Sequence, residues 1–373
     1  MYVWYAPCYH DDPLIARSAI AGYNRATFIS DFALAGEYAM AKRNAASNTS
    51  LRWFGTLPLF DPEKGVTVLD PPGEGKGWWV GAPSAIFDPE ARRFYLYYRV
   101  RKPREFGRGG ECRIAASDDG LKFTTIWTAT KEQFNSPSIE RSALVKCLDG
   151  KFRLYISYVD PTDDKWRTDV MEAERPDAFD PTKRVKIFAA KNIHAEGVKD
   201  PVVLVIGRRY YMILSYAPTP RAVSPSAKRT MHATADVYNT GITKSHTGLA
   251  VSNDGVRFHW LGDIFSPQRV GWDSYAARIG SVLWLPPVFF AFYDGSASVS
   301  ENYEEKTGLA QSLDLIHWDR LTENAPALTS PHASRSLRYM DALSVGGEIV
   351  FYYEYARPDG SHELRLSRVA RPT

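Results

Sequence analysis

The strongest constraint on this chain is a pattern that recurs along it. Residues 113–123 read RIAASDDGLKF, residues 248–258 read GLAVSNDGVRF and residues 308–318 read GLAQSLDLIHW. A fainter copy, DVMEAERPDAF, occupies 169–179. In all four an aliphatic residue precedes an aromatic by nine positions: Ile114 and Phe123, Val170 and Phe179, Leu249 and Phe258, Leu309 and Trp318. Each copy reads as a strand, a polar turn and a return through the aromatic. The turns S-D-D-G and S-N-D-G carry the Asp-Gly chemistry of tight hairpins. TGLA occurs at both 247–250 and 307–310.

A second pattern lies upstream: a short apolar strand, a turn, then a strand rich in Tyr and Phe. Its five occurrences are APSAIFDPEARRFYLYYR (82–99), ERSALVKCLDGKFRLYIS (140–157), DPVVLVIGRRYYMILSY (200–216), DSYAARIGSVLWLPPVFFAFYDG (273–295) and DALSVGGEIVFYYEY (341–355). Such runs are strand signatures. Together the two patterns supply about four strands in each of five repeats. The expected fold class is therefore all-β: a five-bladed β-propeller over 50–373, in which no blade buries its faces alone. The fifth repeat reaches only a third strand, HELRLSRVA (362–370). SLRWFGTLPLF (50–60) is similar to the fourth-strand segment VRFHWLGDIF (256–265), so an N-terminal strand near Trp53 is expected to close the last blade. Residues 1–49 then form a short, partly helical N-terminal extension. Its Ala-rich stretch DFALAGEYAMAKRNAAS (31–47) predicts a helix.

Composition narrows the function classes. With 44% hydrophobic and 24% charged residues, the chain reads as globular rather than disordered. No apolar run approaches the roughly 20 residues of a membrane helix, and the first residues, MYVWYAPCYHDDP, do not read as a signal peptide. A net charge of +3 with no long Lys/Arg run argues against a nucleic-acid partner. Three scattered cysteines, Cys8, Cys112 and Cys147, are too few for a disulfide framework or a zinc site, and a cytoplasmic setting is the expectation.

Aligning the repeats by their aromatic strands puts Ala82, Glu140, Asp200, Asp273 and Asp341 in register. A single acid at a strand start often caps a turn or pairs with a neighbour such as Arg141. Recurrence at four of five positions points instead to an acidic central funnel. Arg141, Lys199 and Arg338 flank these acids as candidates to hold sugar hydroxyls or a phosphate, or to neutralise the acids. Trp79, Trp272 and Tyr339, with Trp78 and Tyr275, lie beside the same positions, where flat aromatic faces can stack on sugar rings. No HExxH, paired CxxC or phosphate-binding loop is present. His194 leaves a metal or water contact in the central channel open. The Pro/Ser/Thr-rich insertion 217–246 is expected to shape the substrate entrance.

SIERSALV…DGKFRLYISYV and EGVKDPVVL…RRYYMILSY resemble the inner-strand motifs of five-bladed glycoside hydrolases. These are the family 43 and family 32 enzymes and, more distantly, the family 130 mannoside phosphorylases and hydrolases. The resemblance covers about residues 51–373. It implies cleavage of a glycosidic bond in a small saccharide or glycoside by two carboxyl groups, with a third acid raising the donor's pKa. By position, Glu140 matches the second-blade modulating acid. In EGVKDP, Glu196 is the candidate proton donor and Asp200 stands beside it. The first-blade Asp-Pro of the family is Ala82-Pro83 here, so the base is sought in Asp273 or Asp341. The same departure leaves open a non-catalytic carbohydrate-binding propeller and a glycoside phosphorylase.

Overall fold

The structure is a computed structural model and describes residues 53–54 and 57–372. The extension 1–49, with the helix expected over 31–47, lies outside the described residues. The fold is all-β. The first repeat has strands Trp79–Asp88, Arg93–Arg101, Glu111–Ser117 and Thr124–Thr130. The second has Ala143–Lys146, Phe152–Asp160, Lys165–Ala173 and Val185–Ala189. The third has Ala195–Ile206, Arg209–Pro218, His246–Ser252 and His259–Phe265. The fourth has Ala276–Leu285, Val288–Ser296, Lys306–Ser312 and the short Asp319–Arg320. The fifth has Leu337–Val345, Glu348–Ala356 and His362–Ala370. Within each repeat, successive strands pair antiparallel.

The aromatic second strands bury their side chains between repeats. Ile114 and Trp127 of the first repeat pack on Leu154 and Phe179 of the second. Tyr155 and Val170 meet Met212 and Leu214 of the third. Ile213 and Leu249 meet Ile279 and Tyr293 of the fourth, and Phe290 and Phe292 meet Phe351 and Tyr353 of the fifth. Tyr352 and Leu366 then pack against Leu96 and Ala115 of the first. Fully burying side chains of this size stabilises by about 1.5–3 kcal/mol each, so these joints hold the repeats together.

The recurrent turn is a side-chain-capped loop rather than a minimal two-residue hairpin. Ser117, Ser252 and Ser312 end the third strands of their repeats, and each hydroxyl accepts the backbone N–H three residues on, at 2.9 Å. Asp119, Asp254 and Asp314 then each accept two further backbone N–H groups. The Thr of TGLA also has a role. Thr247 donates to Ala277 O and Thr307 to Leu337 O, both at 2.8 Å, pinning a third strand to the next repeat's first strand.

The strand that completes the fifth repeat is Val66–Leu69, which pairs antiparallel with His362–Ala370. The sequence expectation placed this strand near Trp53. Trp53–Phe54 pairs instead with Leu57–Pro58, because the apolar residues that follow, Leu57, Leu59 and Phe60, are drawn into the core between repeats four and five. No helix among the described residues is long and apolar enough to cross a membrane.

Candidate active site

Three first strands share one irregularity near their start. Gly81 pairs with Arg99 and Ser84 with Tyr97; Lys199 pairs with Ser215 and Val202 with Ile213; Arg338 pairs with Glu354 and Asp341 with Tyr352. Two residues thus oppose one: Ala82–Pro83, Asp200–Pro201 and Tyr339–Met340. Such bulges re-aim side chains. Ala82, Asp200 and Tyr339 have φ of 53°, 54° and 50°, a left-handed conformation that costs an L-residue roughly 1–2 kcal/mol. The surrounding sheet holds it in place.

This pairing corrects the expected alignment. Ala82 and Asp200 are equivalent, but Asp341 lies two residues further along its strand and Asp273 precedes its strand. The true counterparts are Gly81, Lys199, Arg278 and Arg338, opposite Arg99, Ser215, Asp294 and Glu354. Glu140 takes this place in the second repeat, its N–H donating to Ser157 O at 2.8 Å.

These positions build a buried ionic cluster. The Glu140 carboxylate pairs with Arg99 and lies 3.4 Å from Lys199 Nζ. Lys199 Nζ also lies 3.2 Å from Asp200 Oδ2, and the Tyr339 hydroxyl donates to Glu140 at 3.4 Å. Arg338 bridges Glu305 and Glu354, both at 2.7 Å, and Arg278 pairs with Glu305. His362 lies 2.9 Å from Glu354 and 3.1 Å from Glu304. Trp79 stacks on His362 with ring centres 4.6 Å apart, and the Arg338 guanidinium sits 5.0 Å from the Trp79 ring and 4.7 Å from Tyr339.

The two central carboxyls titrate in opposite directions. Glu140 and Asp200 are 4% and 3% exposed, so neighbours rather than water set their protonation. Burial pushes Asp200 up; Lys199 opposes this and the Glu140 charge reinforces it, and the carboxyl ends above its ordinary range. Neither Asp200 oxygen accepts a hydrogen bond. Burial raises Glu140 too, but Arg99, Lys199 and Arg101 outweigh it and hold the group well below the usual carboxylate range. Asp294 is a third acid, pushed up to about 6 by burial against the pull of Arg278.

Tyr238 and Asp236 of the insertion lie against this cluster, beside Trp166 of the second repeat. Tyr238 and Trp166 place their rings 5.0 and 5.4 Å from Lys199 Nζ. The Tyr238 hydroxyl donates to Gly197 O at 3.2 Å. Asp236 accepts from Trp166 Nε1 at 3.2 Å, pairs with Arg108 at 3.3 Å, and receives hydrogen bonds from Tyr303 and Asn239.

Of the expected site residues, Glu140, Lys199, Asp200, Arg338, Trp79 and Tyr339 come together. Glu196 stands in a separate group with Lys165 at 2.6 Å, Thr219 at 2.8 Å and His232 at 2.9 Å. Burial raises its pKa, but those three donors prevail and leave it lowered. Asp273 pairs with Arg320 at 2.8 Å and accepts from Gln268 and Tyr293. Trp272 stacks on Tyr293 and donates to Thr322 O. Asp341 accepts from Ala85 N at 2.6 Å and Ser281 at 3.1 Å, joining three repeats, while Arg141 donates to Pro83 O. Tyr275 donates to Tyr238 O, Trp78 lies against Phe106, and His194 caps a helical turn. Among the described residues no group of three or more His, Cys, Asp or Glu is arranged to hold a metal ion.

Arg99, Asp294 and Glu354 escaped the sequence reading, although each ends the aromatic run of a second strand, in FYLYYR, FFAFYD and FYYE. A charge terminating a buried aromatic strand was the available signal.

No protein-family model matches this chain and no curated protein matches it in sequence. Solved structures do. A glycoside hydrolase superposes with a TM-score of 0.60 at 11% identity, over 83% of this chain and 92% of its own. A β-1,2-mannobiose phosphorylase from Listeria innocua gives 0.55 at 15%, over 82% and 94%. An α-L-arabinofuranosidase from Lactobacillus brevis gives 0.54 at 16%, over 77% and 90%. Over most of its length, the chain has the fold of the β-propeller glycoside hydrolases and phosphorylases of families 43 and 130.

Proposed function

We propose that this chain is a five-bladed β-propeller that cleaves a glycosidic bond in a small saccharide, with Asp200 as proton donor and Glu140 as the partner carboxylate. Five four-stranded repeats, with a core between the fifth and the first, support the blade count. One observation carries the chemistry: Glu140 and Asp200 share Lys199 Nζ at 3.4 and 3.2 Å, and their pKa values are displaced in opposite directions. Environments that separate two carboxyls in this way assign the acid and the base. The two oxygens can be no farther apart than the sum of those distances. That limit admits the roughly 5–5.5 Å separation of a retaining pair.

In this reading neutral Asp200 protonates the leaving oxygen, and Glu140, kept ionised by Arg99, attacks the sugar or activates a water. Lys199, Arg338, Trp79 and Tyr339 surround the bound ring. Glu196 is less suited to give a proton, because its three donors favour the charged form.

A panel of aryl glycosides tests the reading. Glu140→Gln and Asp200→Asn are each expected to lower kcat by about 10²–10⁴-fold, the usual share of general acid–base catalysis. Activity that survives both substitutions sinks the proposal. A larger loss in Glu196→Gln than in Asp200→Asn returns the donor role to Glu196. Ala82, at the place equivalent to Asp200, favours a second reading, a non-catalytic carbohydrate-binding propeller. Saccharide binding with no turnover of any glycoside would establish it.

A further inference from the structure

Among the described residues, two buried arginines near the cluster form no ion pair with a carboxylate: Arg141, which donates to Pro83 O and acts electrostatically on Asp341, and Arg101. Arg99 has Glu140, Lys199 has Glu140 and Asp200, Arg278 has Glu305, Arg338 has Glu305 and Glu354, His362 has Glu304 and Glu354, and Arg108 has Asp236. Arg101 is 9% exposed, and its buried Nη1 has no hydrogen-bond partner. Its guanidinium lies 4.5 Å from the centre of the Trp79 ring and 4.9 Å from that of Tyr303. Two aromatic rings therefore fix its orientation without using its N–H groups.

Removing such a charge from water is costly, and a guanidinium does not escape the cost by losing its proton. A counter-anion offsets it. Glu140 is near enough to act on Arg101 electrostatically but is already engaged by Arg99 and Lys199. The exposed Arg104 lies 4.9 Å from the same Tyr303 ring, so two guanidinium groups share that ring.

We propose that Arg101 is the receptor for a carboxylate carried by the substrate, so that the saccharide is an acidic sugar of the uronic-acid kind. The planar fork of one guanidinium matches one carboxylate in two parallel hydrogen bonds. A phosphate dianion would draw on Arg104 as well as Arg101, so inorganic phosphate is the competing ligand in the test. The sugar identity of the ligand rests on the glycoside chemistry proposed above; the anion site itself does not.

Calorimetric titration of the full chain with glucuronate and galacturonate, their neutral methyl esters and inorganic phosphate tests the proposal. A free sugar acid is expected to bind at least tenfold more tightly than its ester. Arg101→Gln should abolish that preference and Arg101→Lys should restore part of it. Equal binding of acid and ester, tighter binding of phosphate than of either acid, or a preference undiminished in Arg101→Gln would overturn it. The acid–ester comparison needs only the wild-type chain, so it decides even if the variants do not fold. Aryl glycoside turnover without acid preference sinks this inference alone. Acid preference without turnover leaves the anion site standing and sinks the glycosidase reading.

Discussion

Asp119 shows how one side chain shapes the recurring turn. Its carboxylate accepts the N–H groups of Lys122 and Leu121, and these hold its pKa down to about 2. The folded value lies below the unfolded value of about 3.9. The group therefore contributes stability that is complete above the unfolded pKa and disappears as pH falls through the folded one. The difference in denaturation midpoint between wild type and Asp119→Asn should be constant above about pH 5, shrink as pH falls and vanish only below about pH 2. A difference that persists unchanged into acid would show that the charge is not what the turn uses. The third copy of the turn departs from the others. Gly120 and Gly255 have φ of 71° and 72°, and Leu315 takes the same place at 67°. Leu315 is buried between repeats three and four, and that apolar contact offsets the strain its branched side chain meets in a left-handed conformation.

At the scale of strands, TGLA explains itself through close approach. A Cβ on Gly248 would fall 1.9 Å from the Trp260 ring, and one on Gly308 would fall 2.3 Å from Tyr293. Both neighbours belong to packed sheets and have little room to retreat. Gly248→Ala and Gly308→Ala are each expected to destabilise by about 1–3 kcal/mol, the usual effect of overpacking, read from urea denaturation. An unchanged midpoint would mean that the aromatic neighbour moves freely. The first-strand bulges work differently, because they place chemistry rather than packing. One strand position thus carries Ala82, Asp200 and Tyr339 in three repeats. The insertion 217–246 brings Tyr238 and Asp236 against the cluster.

For the whole molecule, the test is the strand Val66–Leu69. It occupies the outer edge of His362–Ala370 and joins the part of the chain before the first repeat to the last repeat. Replacing it by a Gly/Ser run of equal length should bare an edge strand. Thermal unfolding should then become less cooperative, and self-association should increase by light scattering. A monomeric, equally cooperative variant would show that the edge needs no cover.

Much of this architecture was legible in the sequence, because it is periodic: nine-residue spacings, Ser-x-Asp turns and alternating aromatics are local consequences of strand geometry. The candidate site was legible only in part. Glu140, Lys199, Asp200, Arg338, Tyr339 and Trp79 sit near repeat starts and could be found by counting. Counting misplaced Asp273, which precedes its strand, and Asp341, which lies two residues past the counterpart of Asp200, because only cross-strand pairing fixes the register. It missed Arg99, Asp294 and Glu354, which meet the first strands only through cross-strand pairing. By itself, then, the sequence determined the repeating all-β units and the rough location of the acids. The tertiary structure alone decided which charges share a buried space, which strand completes the fifth repeat and which arginines are left without an ion pair, because contacts between distant residues depend on register.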